Sequence, residues 1–359
     1  MPASEKVSND RRVEMVTPAL VVDLDTFEQN LAAAETLVLK TGKLVRPHLK
    51  THRTPGLALR QLGPSAAGVC CATIGEAEAA VNVGINDILL ANEFVTAEKL
   101  ARIAALASRA RVMVAVDAEE QVHGLSSAAR QQGTTVDVLV DVDVGLGRCG
   151  VRNPSEASVL AKALIHARGL RFAGIMGYEG RVRAAVPDRS EKISRAFRTL
   201  AQAKDCLQAA GLEVPVVSGA GTSTLIEALQ DPHITEIQAG SYALMEPDLE
   251  PLGLPFRCAV SVLGTIISRS AGCIVLDAGW RAMGCEYGPP IPLDGCARTK
   301  TLGDEHTVLE WDGDLPPLGA RVALRPSQNR TTFNLHRSVW LSRSGRVIER
   351  LPIAAASSW

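Results

Sequence analysis

The sequence contains no run of about 18 apolar residues, the length that a membrane-spanning helix requires, although 46% of its 359 residues are hydrophobic. Its first fifteen residues are polar and lack the apolar core of a secretory signal. The formal net charge of −1 gives no electrostatic basis for binding nucleic acid or an anionic membrane. We therefore expect a soluble globular protein with one large and one smaller domain.

Zinc-type cysteine spacing is also missing, since none of the eight cysteines forms a CxxC pair. Cys70 and Cys71 lie in the apolar run AAGVCCATI and are predicted to be small core residues. Without a secretion signal, reduced thiols and a cytoplasmic location are the expectation.

The residues from 18 to about 242 alternate short apolar strands with amphipathic helices. The predicted strands are ALVVDL, KLVRPH, AGVCCA, DILLAN, VMVAVD, VDVLVDVDV, FAGIMGY, VPVVSG and TEIQAG. Continuous apolar strands, each followed by a helix, indicate a parallel sheet that is covered on its faces. Their number favours a closed (β/α)8 TIM-type barrel over an open doubly wound sheet.

After Pro247 the rhythm changes to short strands joined by Gly, Pro and Asp turns, which predicts an antiparallel β domain. The expected organisation is a tail over residues 1–16, a barrel over 17–246 and a C-terminal β domain over 247–359. The stretch EPDLEPLGLP has the character of a linker between the last two.

The segment RPHLKTHR, residues 46–53, places Lys50 between two histidines and two arginines. We predict that Lys50 lies at the C-terminal end of a strand, where α/β barrels carry their chemistry. Crowding by cationic neighbours would favour its neutral amine, which is the form that attacks a carbonyl. On an extended chain, His48 and His52 would share the face of Lys50. They could transfer protons or hold the strand end through hydrogen bonds, and both readings stay open.

Two consecutive glycine-containing turns follow the last two predicted barrel strands, where barrels frequently bind phosphate. In the first turn, amides at a helix N-terminus favour an anion. The predicted contacts are Ser218, Gly219, Gly221 and Thr222 in the first turn, and Gly240, Ser241 and Tyr242 in the second. A lysine ready to capture a carbonyl and a phosphate site together imply pyridoxal 5′-phosphate (PLP) as cofactor.

Several blocks together resemble the D-threonine aldolase/D-serine dehydratase family: TPALVVDLDTFEQNL, RPHLKTHR, DVDVGLGRCGV, GIMGYEG, SGAGTST, TEIQAGSY, VLDAG and GDEHTV. This resemblance implies a PLP enzyme of fold type III, the alanine racemase fold, with an amino acid as its small-molecule substrate. It also implies a homodimer.

The resemblance assigns roles to individual residues. Lys50 matches the family's Schiff-base lysine, Arg148 matches an arginine near the cofactor ring, and Tyr178 matches a tyrosine that contacts the cofactor. Thr222, Gly240 and Ser241 match phosphate contacts. Lys50 and His52 are the predicted catalytic residues.

The C-terminal block RPSQNRTTFNLH departs from the family pattern. The family has a histidine and, two positions later, an aspartate or cysteine, and this pair binds a divalent metal that holds the substrate's β-hydroxyl. Gln328 and Arg330 stand at these positions. Arginine has no lone pair for a cation, so we predict no catalytic metal here. His306 and His336 have no predicted role.

Arg330 places a positive charge where the metal would lie, and could bind a substrate carboxylate or stabilise a developing alkoxide. The alternative is that Arg330 bonds a structural acid such as Asp277. Arg181 is a second departure and suggests an anionic substrate. We thus count Gln328, Arg330 and Arg181 as candidate substrate contacts.

Three functions stay open. The first is a metal-independent PLP lyase, an aldolase of D-configured 3-hydroxy amino acids. The second is a metal-free racemase or transaminase on the same scaffold. The third is a non-catalytic PLP carrier, which is disfavoured because a carrier needs no separate β domain.

Overall fold

The computed structural model describes residues 5–6 and 15–354, so most of the predicted tail over 1–16 lies outside the described residues. The strands of the described chain are β1 (Glu5–Lys6), β2 (Ala19–Asp23), β3 (Leu44–Val45), β4 (Val69–Cys71), β5 (Asp87–Leu90), β6 (Arg111–Val116), β7 (Val136–Asp141), β8 (Leu170–Gly177), β9 (Val216–Gly219), β10 (Glu236–Ile237), β11 (Val260–Ser270), β12 (Cys273–Leu276), β13 (Ile291–Pro292), β14 (Ala297–Leu302), β15 (Thr307–Trp311), β16 (Arg321–Arg325), β17 (Ser338–Arg343) and β18 (Arg346–Pro352). Its α-helices are α1 (Leu24–Leu39), α2 (Pro55–Arg60), α3 (Ile74–Asn82), α4 (Ala97–Leu106), α5 (Glu119–Gln132), α6 (Pro154–His166), α7 (Arg189–Ala209), α8 (Leu225–Gln230) and α9 (Asn329–Leu335).

The contacts divide the described residues into two units, of which the larger comprises residues 34–50 and 55–240. Within it, eight parallel strands follow the order β3-β10-β9-β8-β7-β6-β5-β4. Isolated parallel bridges, His48 to Cys70 and Val45 to Ala66, join the chain around β3 to that around β4. The strand order therefore returns on itself, which confirms the predicted parallel barrel.

Buried side chains from strands β4 to β8 pack into one hydrophobic cluster, among them Cys70, Leu89, Met113, Leu139 and Met176. The strands read as continuous apolar runs because both of their faces are covered; all six residues of β7 are buried. The helices begin at sequence-coded caps. Thr73 accepts the amide of Glu76 at the start of α3, and Asn153 accepts the amide of Glu156 at the start of α6.

An ordered chain of ion pairs joins side chains near the N-terminal ends of the barrel strands. Consecutive charges alternate in sign, with N–O distances between 2.6 and 3.0 Å, in the order Glu236, Arg46, Asp87, Arg111, Asp137 and Arg171. Arg46 is 1% exposed, and burial of such a charge is tolerated only because carboxylates balance it.

This pairing corrects one expectation about Lys50. Arg46 was expected to add to the positive charge around that amine, but Asp87 and Glu236 neutralise its guanidinium. Arg53 is also engaged, since it donates to the side-chain oxygen of Asn334.

The second unit comprises residues 5–6, 15–33, 51–54 and 241–354. Its main feature is a ten-stranded, mostly antiparallel sheet in the order β1-β18-β17-β2-β11-β12-β15-β14, with β16 pairing to β11 and β13 to β16. The predicted C-terminal β domain is thereby confirmed.

The strand ALVVDL was predicted to belong to the barrel, and this was wrong. β2 pairs antiparallel with β11, with Val22 opposite Val260, and parallel with β17, with Val21 opposite Trp340. The predicted linker EPDLEPLGLP is also structured, because Pro247–Leu252 forms a 3-10 helix with Leu249 buried.

Cys70 and Cys71 are fully buried, as predicted, and burial raises the pKa of the Cys70 thiol to about 12. All eight cysteines are free. Among the helices of the described chain, none has the length and hydrophobicity needed to cross a bilayer.

Candidate active site

Lys50 lies in a 3-10 turn, Leu49–Thr51, directly after the barrel strand β3 and its continuation through His48. The backbone amide of His48 donates to Ala239 at 3.0 Å, so pairing with the sheet ends one residue before the turn. The chain is not extended around Lys50, and this corrects the expectation that both histidines share its face.

The ring of Tyr178 brings Lys50 and Arg148 together. The Nζ of Lys50 lies 5.6 Å from the ring centroid, and the guanidinium carbon of Arg148 lies 6.0 Å from it. A Cβ added to Gly221 would meet the Cε2 of Tyr178 at 3.5 Å, so the glycine turn also borders this ring. An amine, a guanidinium and the predicted phosphate turn therefore surround one aromatic side chain.

Arg148 is presented by a loop that is closed at its base by a bridge between Val142 and Val151. Asp143 accepts the amides of Gly145 and Gly147 at 3.0 Å each. Gly150 has φ +102°, and a Cβ there would meet the amide nitrogen of Asp143 at 2.4 Å, so only glycine fits. These contacts fix the backbone of the loop that carries Arg148.

A cluster of acids beside this loop was missed from the sequence. Asp141 ends β7 and is hydrogen-bonded to Glu93; burial, together with the nearby charge of Glu93, raises the pKa of Asp141 to about 8, while Arg148 opposes the rise. Asp117 accepts the amide of Gly150 at 2.8 Å. The available signal was that Glu93, Asp117 and Asp141 each follow or end an apolar strand, so that neighbouring strand ends bring them together.

The first predicted phosphate turn adopts an unusual backbone. Ala220 has φ 59°, a left-handed conformation that alanine rarely takes. The amide of Gly221 donates to the hydroxyl of Thr224 at 3.1 Å, and the hydroxyl of Thr224 donates to Glu179. Thr222–Thr224 then forms a 3-10 turn. Because the Gly221 amide donates within the turn, the next amides along the chain, those of Thr222 and Ser223, are the candidates for binding an anion.

Ser218 and Gly219 make contacts within the barrel, and their role in binding phosphate stays a prediction. The hydroxyl of Ser218 is fully buried, donates to Glu236 at 2.7 Å and accepts from Gln238 at 3.1 Å. A Cβ on Gly219 would meet the carbonyl oxygen of Gly177 at 2.7 Å, so glycine permits close packing of β9 against β8.

The second predicted phosphate turn begins at Gly240, the last residue of the barrel unit, and continues into the sheet unit. There the hydroxyl of Ser241 donates to Glu246 at 3.0 Å. The ring of Tyr242 packs 5.8 Å from that of Phe256. Ser241 and Tyr242 are both buried.

His52 belongs to the sheet unit and is fully buried. Its Nδ1 accepts the backbone amide of Thr54 at 3.1 Å, and its ring meets that of Phe333 edge to face at 6.2 Å. These contacts favour the structural reading of His52, because one ring nitrogen is committed to the backbone.

Gln328 and Arg330 begin α9. The side-chain oxygen of Gln328 caps the helix by accepting the amide of Arg330 at 2.7 Å, and also lies 3.4 Å from its Nε. The Nη2 of Arg330 approaches the hydroxyl of Tyr287 at 3.5 Å. Asp277, the alternative partner, instead accepts from Thr17 and from the Thr265 amide.

The other candidates are dispersed. Arg181 is half-buried in the segment after β8, and His306 is exposed. The Nε2 of His336 lies 2.7 Å from the carbonyl oxygen of Ala282, and burial lowers its pKa.

The comparison with known proteins decides the family. A family model described as alanine racemase, N-terminal domain, matches residues 22–247, and one described as putative serine dehydratase domain matches residues 259–341. A D-threonine aldolase of Arthrobacter sp. is 38% identical over 94% of this chain and 92% of its own length. This chain belongs to the D-threonine aldolase/D-serine dehydratase family.

Two further relatives agree with this assignment. A 3-hydroxy-D-aspartate aldolase of Paracoccus denitrificans is 32% identical over 95% of this chain and 92% of its own length. The crystal structure of a D-threonine aldolase from Filomicrobium marinum superimposes with a TM-score of 0.90 at 37% identity, covering 95% of this chain and 96% of the other. The family consists of PLP-dependent enzymes with the alanine racemase fold.

The residues present fit PLP. An amine that can bind an aldehyde and a glycine turn that can bind a phosphate both border the ring of Tyr178. PLP carries these two groups on one small aromatic ring, so the donor set matches its chemistry.

Proposed function

We propose that this protein is a PLP-dependent lyase that cleaves D-configured 3-hydroxy amino acids to glycine and an aldehyde. The observation that carries the proposal is the grouping of Lys50, Arg148 and the glycine turn around Tyr178. The named activities of the Arthrobacter and Paracoccus relatives support the same reaction class.

Each residue of this group has a proposed task. The amine of Lys50 would hold the cofactor aldehyde, and as a free amine it would move protons at the substrate. Tyr178 supports the cofactor, and Arg148 supplies positive charge near its ring. The amides of Thr222 and Ser223, with Gly240 and Ser241, bind the phosphate. When bound, PLP accepts the electrons of the bond that breaks at the substrate's α-carbon.

We propose that the reaction needs no metal at the Gln328 and Arg330 positions. Supporting this, the side-chain oxygen of Gln328 is occupied by Arg330, and a guanidinium cannot ligate a cation. Arg330 instead contacts the substrate, as a partner for a second carboxylate or for the oxygen at the β-carbon. With Arg181, it favours an anionic substrate such as a 3-hydroxyaspartate.

A second candidate is a racemase or transaminase, favoured by the same loss of metal ligands. Without a group that holds the β-hydroxyl, breaking the Cα–H bond becomes the competing reaction. Such an enzyme would leave the substrate's carbon skeleton intact.

The deciding experiment is incubation of the holoenzyme with D-threonine and with 3-hydroxy-D-aspartate, followed by amino-acid analysis. Release of glycine with the matching aldehyde supports the lyase. Exchange of the α-hydrogen for deuterium, with no glycine formed, would replace it with the racemase, and accumulation of pyridoxamine phosphate with the transaminase.

A homodimer and a cytoplasmic location belong to the same proposal. The dimer rests on the family resemblance, and the eight free cysteines support a reducing compartment. Light scattering of the purified holoenzyme and fractionation of the source cells test the two statements.

A further inference from the structure

Glu179 follows Tyr178 in the chain, and its side chain is hydrogen-bonded to the first predicted phosphate turn. Its carboxyl accepts the hydroxyl proton of Thr224 and the amide proton of Ala220. The Thr224 oxygen in turn accepts the amide of Gly221. One carboxyl therefore holds the left-handed residue of the turn directly and the following glycine through a hydroxyl.

A second side chain, that of Arg189, the first residue of α7, also holds the turn. Its Nη2 donates to the carbonyl oxygen of Ser223 at 2.6 Å, and its Nη1 pairs with Glu227. The amide of Thr224 closes the turn on the carbonyl oxygen of Gly221 at 3.2 Å. The turn is thus held by two side chains that lie outside it, those of Glu179 and Arg189.

A carboxylate under an anion site would ordinarily repel a phosphate. Burial raises the pKa of Glu179 to about 7, with Glu227 adding to the rise and the hydrogen bonds from Thr224 and Ala220 opposing it. Near neutral pH the group therefore carries less than a full negative charge. It contributes hydrogen-bond acceptors for the turn at a reduced electrostatic cost to a neighbouring anion.

We propose that Glu179 is a positioning residue for the cofactor phosphate, acting through Thr224 and Ala220. It maintains the backbone conformation in which the amides of Thr222 and Ser223 meet the phosphate. This inference rests on the proposed phosphate-binding role of the turn, but not on the reaction that the enzyme catalyses.

The test is a titration of the full-length apoenzyme with PLP and, separately, with pyridoxal, which has the same aldehyde and no phosphate. Glu179→Ala and Thr224→Val each remove one member of the network, and we expect each to weaken PLP binding about tenfold, the equivalent of one hydrogen bond. Thr224→Ser keeps the hydroxyl and should bind PLP like the wild type. Pyridoxal binding should be unchanged in all three variants.

Wild-type PLP affinity in both Glu179→Ala and Thr224→Val would overturn the proposal. An equal loss of PLP and pyridoxal affinity would also overturn it, because it would indicate general damage to the fold. Thr224→Val replaces only the hydroxyl group by a methyl group, so this variant remains informative if Glu179→Ala does not fold. The titration uses no amino acid, so it is independent of the reaction. If the variants lose affinity for PLP but not for pyridoxal, and the wild-type holoenzyme releases no glycine, only the proposed reaction is refuted.

Discussion

The side-chain oxygen of Gln328 accepts the backbone amide of Arg330 at 2.7 Å, which ties together the two positions where the family resemblance places metal ligands. Gln328 is the cap of α9, and Arg330 carries a permanent positive charge. The guanidinium of Arg330 also approaches the hydroxyl of Tyr287. This arrangement lacks the imidazole and the carboxylate or thiolate that a zinc or manganese ion would bind.

Metal removal is therefore expected to leave activity intact. Holoenzyme dialysed against EDTA should keep its full rate of glycine release, and added Mn²⁺ or Zn²⁺ should not raise it. As a positive control, the double variant Gln328→His with Arg330→Asp installs a ligand pair and should make the rate respond to Mn²⁺. Strict dependence of the wild type on an added metal would contradict the assignment.

Arg330→Ala is expected to act on KM if Arg330 binds a second substrate carboxylate. KM for 3-hydroxy-D-aspartate should rise about 10- to 100-fold, the worth of a charged hydrogen bond, while KM for D-threonine should change little. Steady-state kinetics on both substrates measure this difference. A fall in kcat on both substrates would assign Arg330 to the β-oxygen instead. Arg298→Ala, on the exposed face of β14, is the matched control.

Lys50→Ala should remove the covalent attachment of PLP. Borohydride reduction of wild-type holoenzyme, followed by peptide mapping, is expected to label Lys50, and the variant should carry no label there. Glycine release should fall on the order of 10²- to 10⁴-fold because the variant also lacks the base. Lys162→Ala, exposed on α6, should behave as the wild type. A label at another lysine would refute the assignment.

Arg46→Met is expected to lower the free energy of unfolding by about 3–5 kcal/mol, because it leaves Glu236 and part of Asp87 without their balancing charge. The matched control is Arg171→Met at the solvent-exposed end of the same ion-pair chain, where the side chain is 63% exposed. That change should cost less than about 1 kcal/mol. Urea unfolding of both variants checks the contrast, and equal losses would show that burial does not decide the cost.

Asp141→Asn should flatten the dependence of stability on pH. The folded-state pKa of Asp141 lies near 8, whereas an unfolded aspartate titrates near about 3.9. Between these values the folded protein holds a proton that the unfolded chain has lost, so wild-type stability falls as pH rises through this window. The asparagine side chain of the variant does not ionise. The melting temperature of the variant should therefore rise relative to that of the wild type between pH 5 and pH 8. Asp314→Asn, at an exposed position, should show no such gain.

The barrel was predictable because its strands are covered on both faces and therefore read as unbroken apolar runs. The same rule explains the error at β2. Residues 19–22 of β2 are also buried, and the strand lies between β11 and β17, so its composition cannot separate a barrel strand from a central strand of the other sheet. The pairing partners lie more than 230 residues away in sequence, beyond the reach of local pattern.

The candidate site was predictable where a motif carried the geometry. The glycines of SGAGTST indicated the turn, but not that its hydrogen bonds would consume the Gly221 amide, because Glu179 and Thr224 meet only through the packing of β8 beside β9. The cluster of Glu93, Asp117 and Asp141 was hidden for a similar reason. Each acid is unremarkable in its own strand, and their proximity depends on strand order.

Within residues 15–354, four peptide bonds connect the two units, at 33/34, 50/51, 54/55 and 240/241, and one of them directly follows Lys50. Neither unit is a single continuous stretch of chain. A recombinant fragment over residues 17–246 would carry β2 without β11 and β17, and would expose the backbone of an apolar strand to aggregation. Dissecting this enzyme into separately expressed pieces thus calls for circular permutation or co-expression rather than truncation.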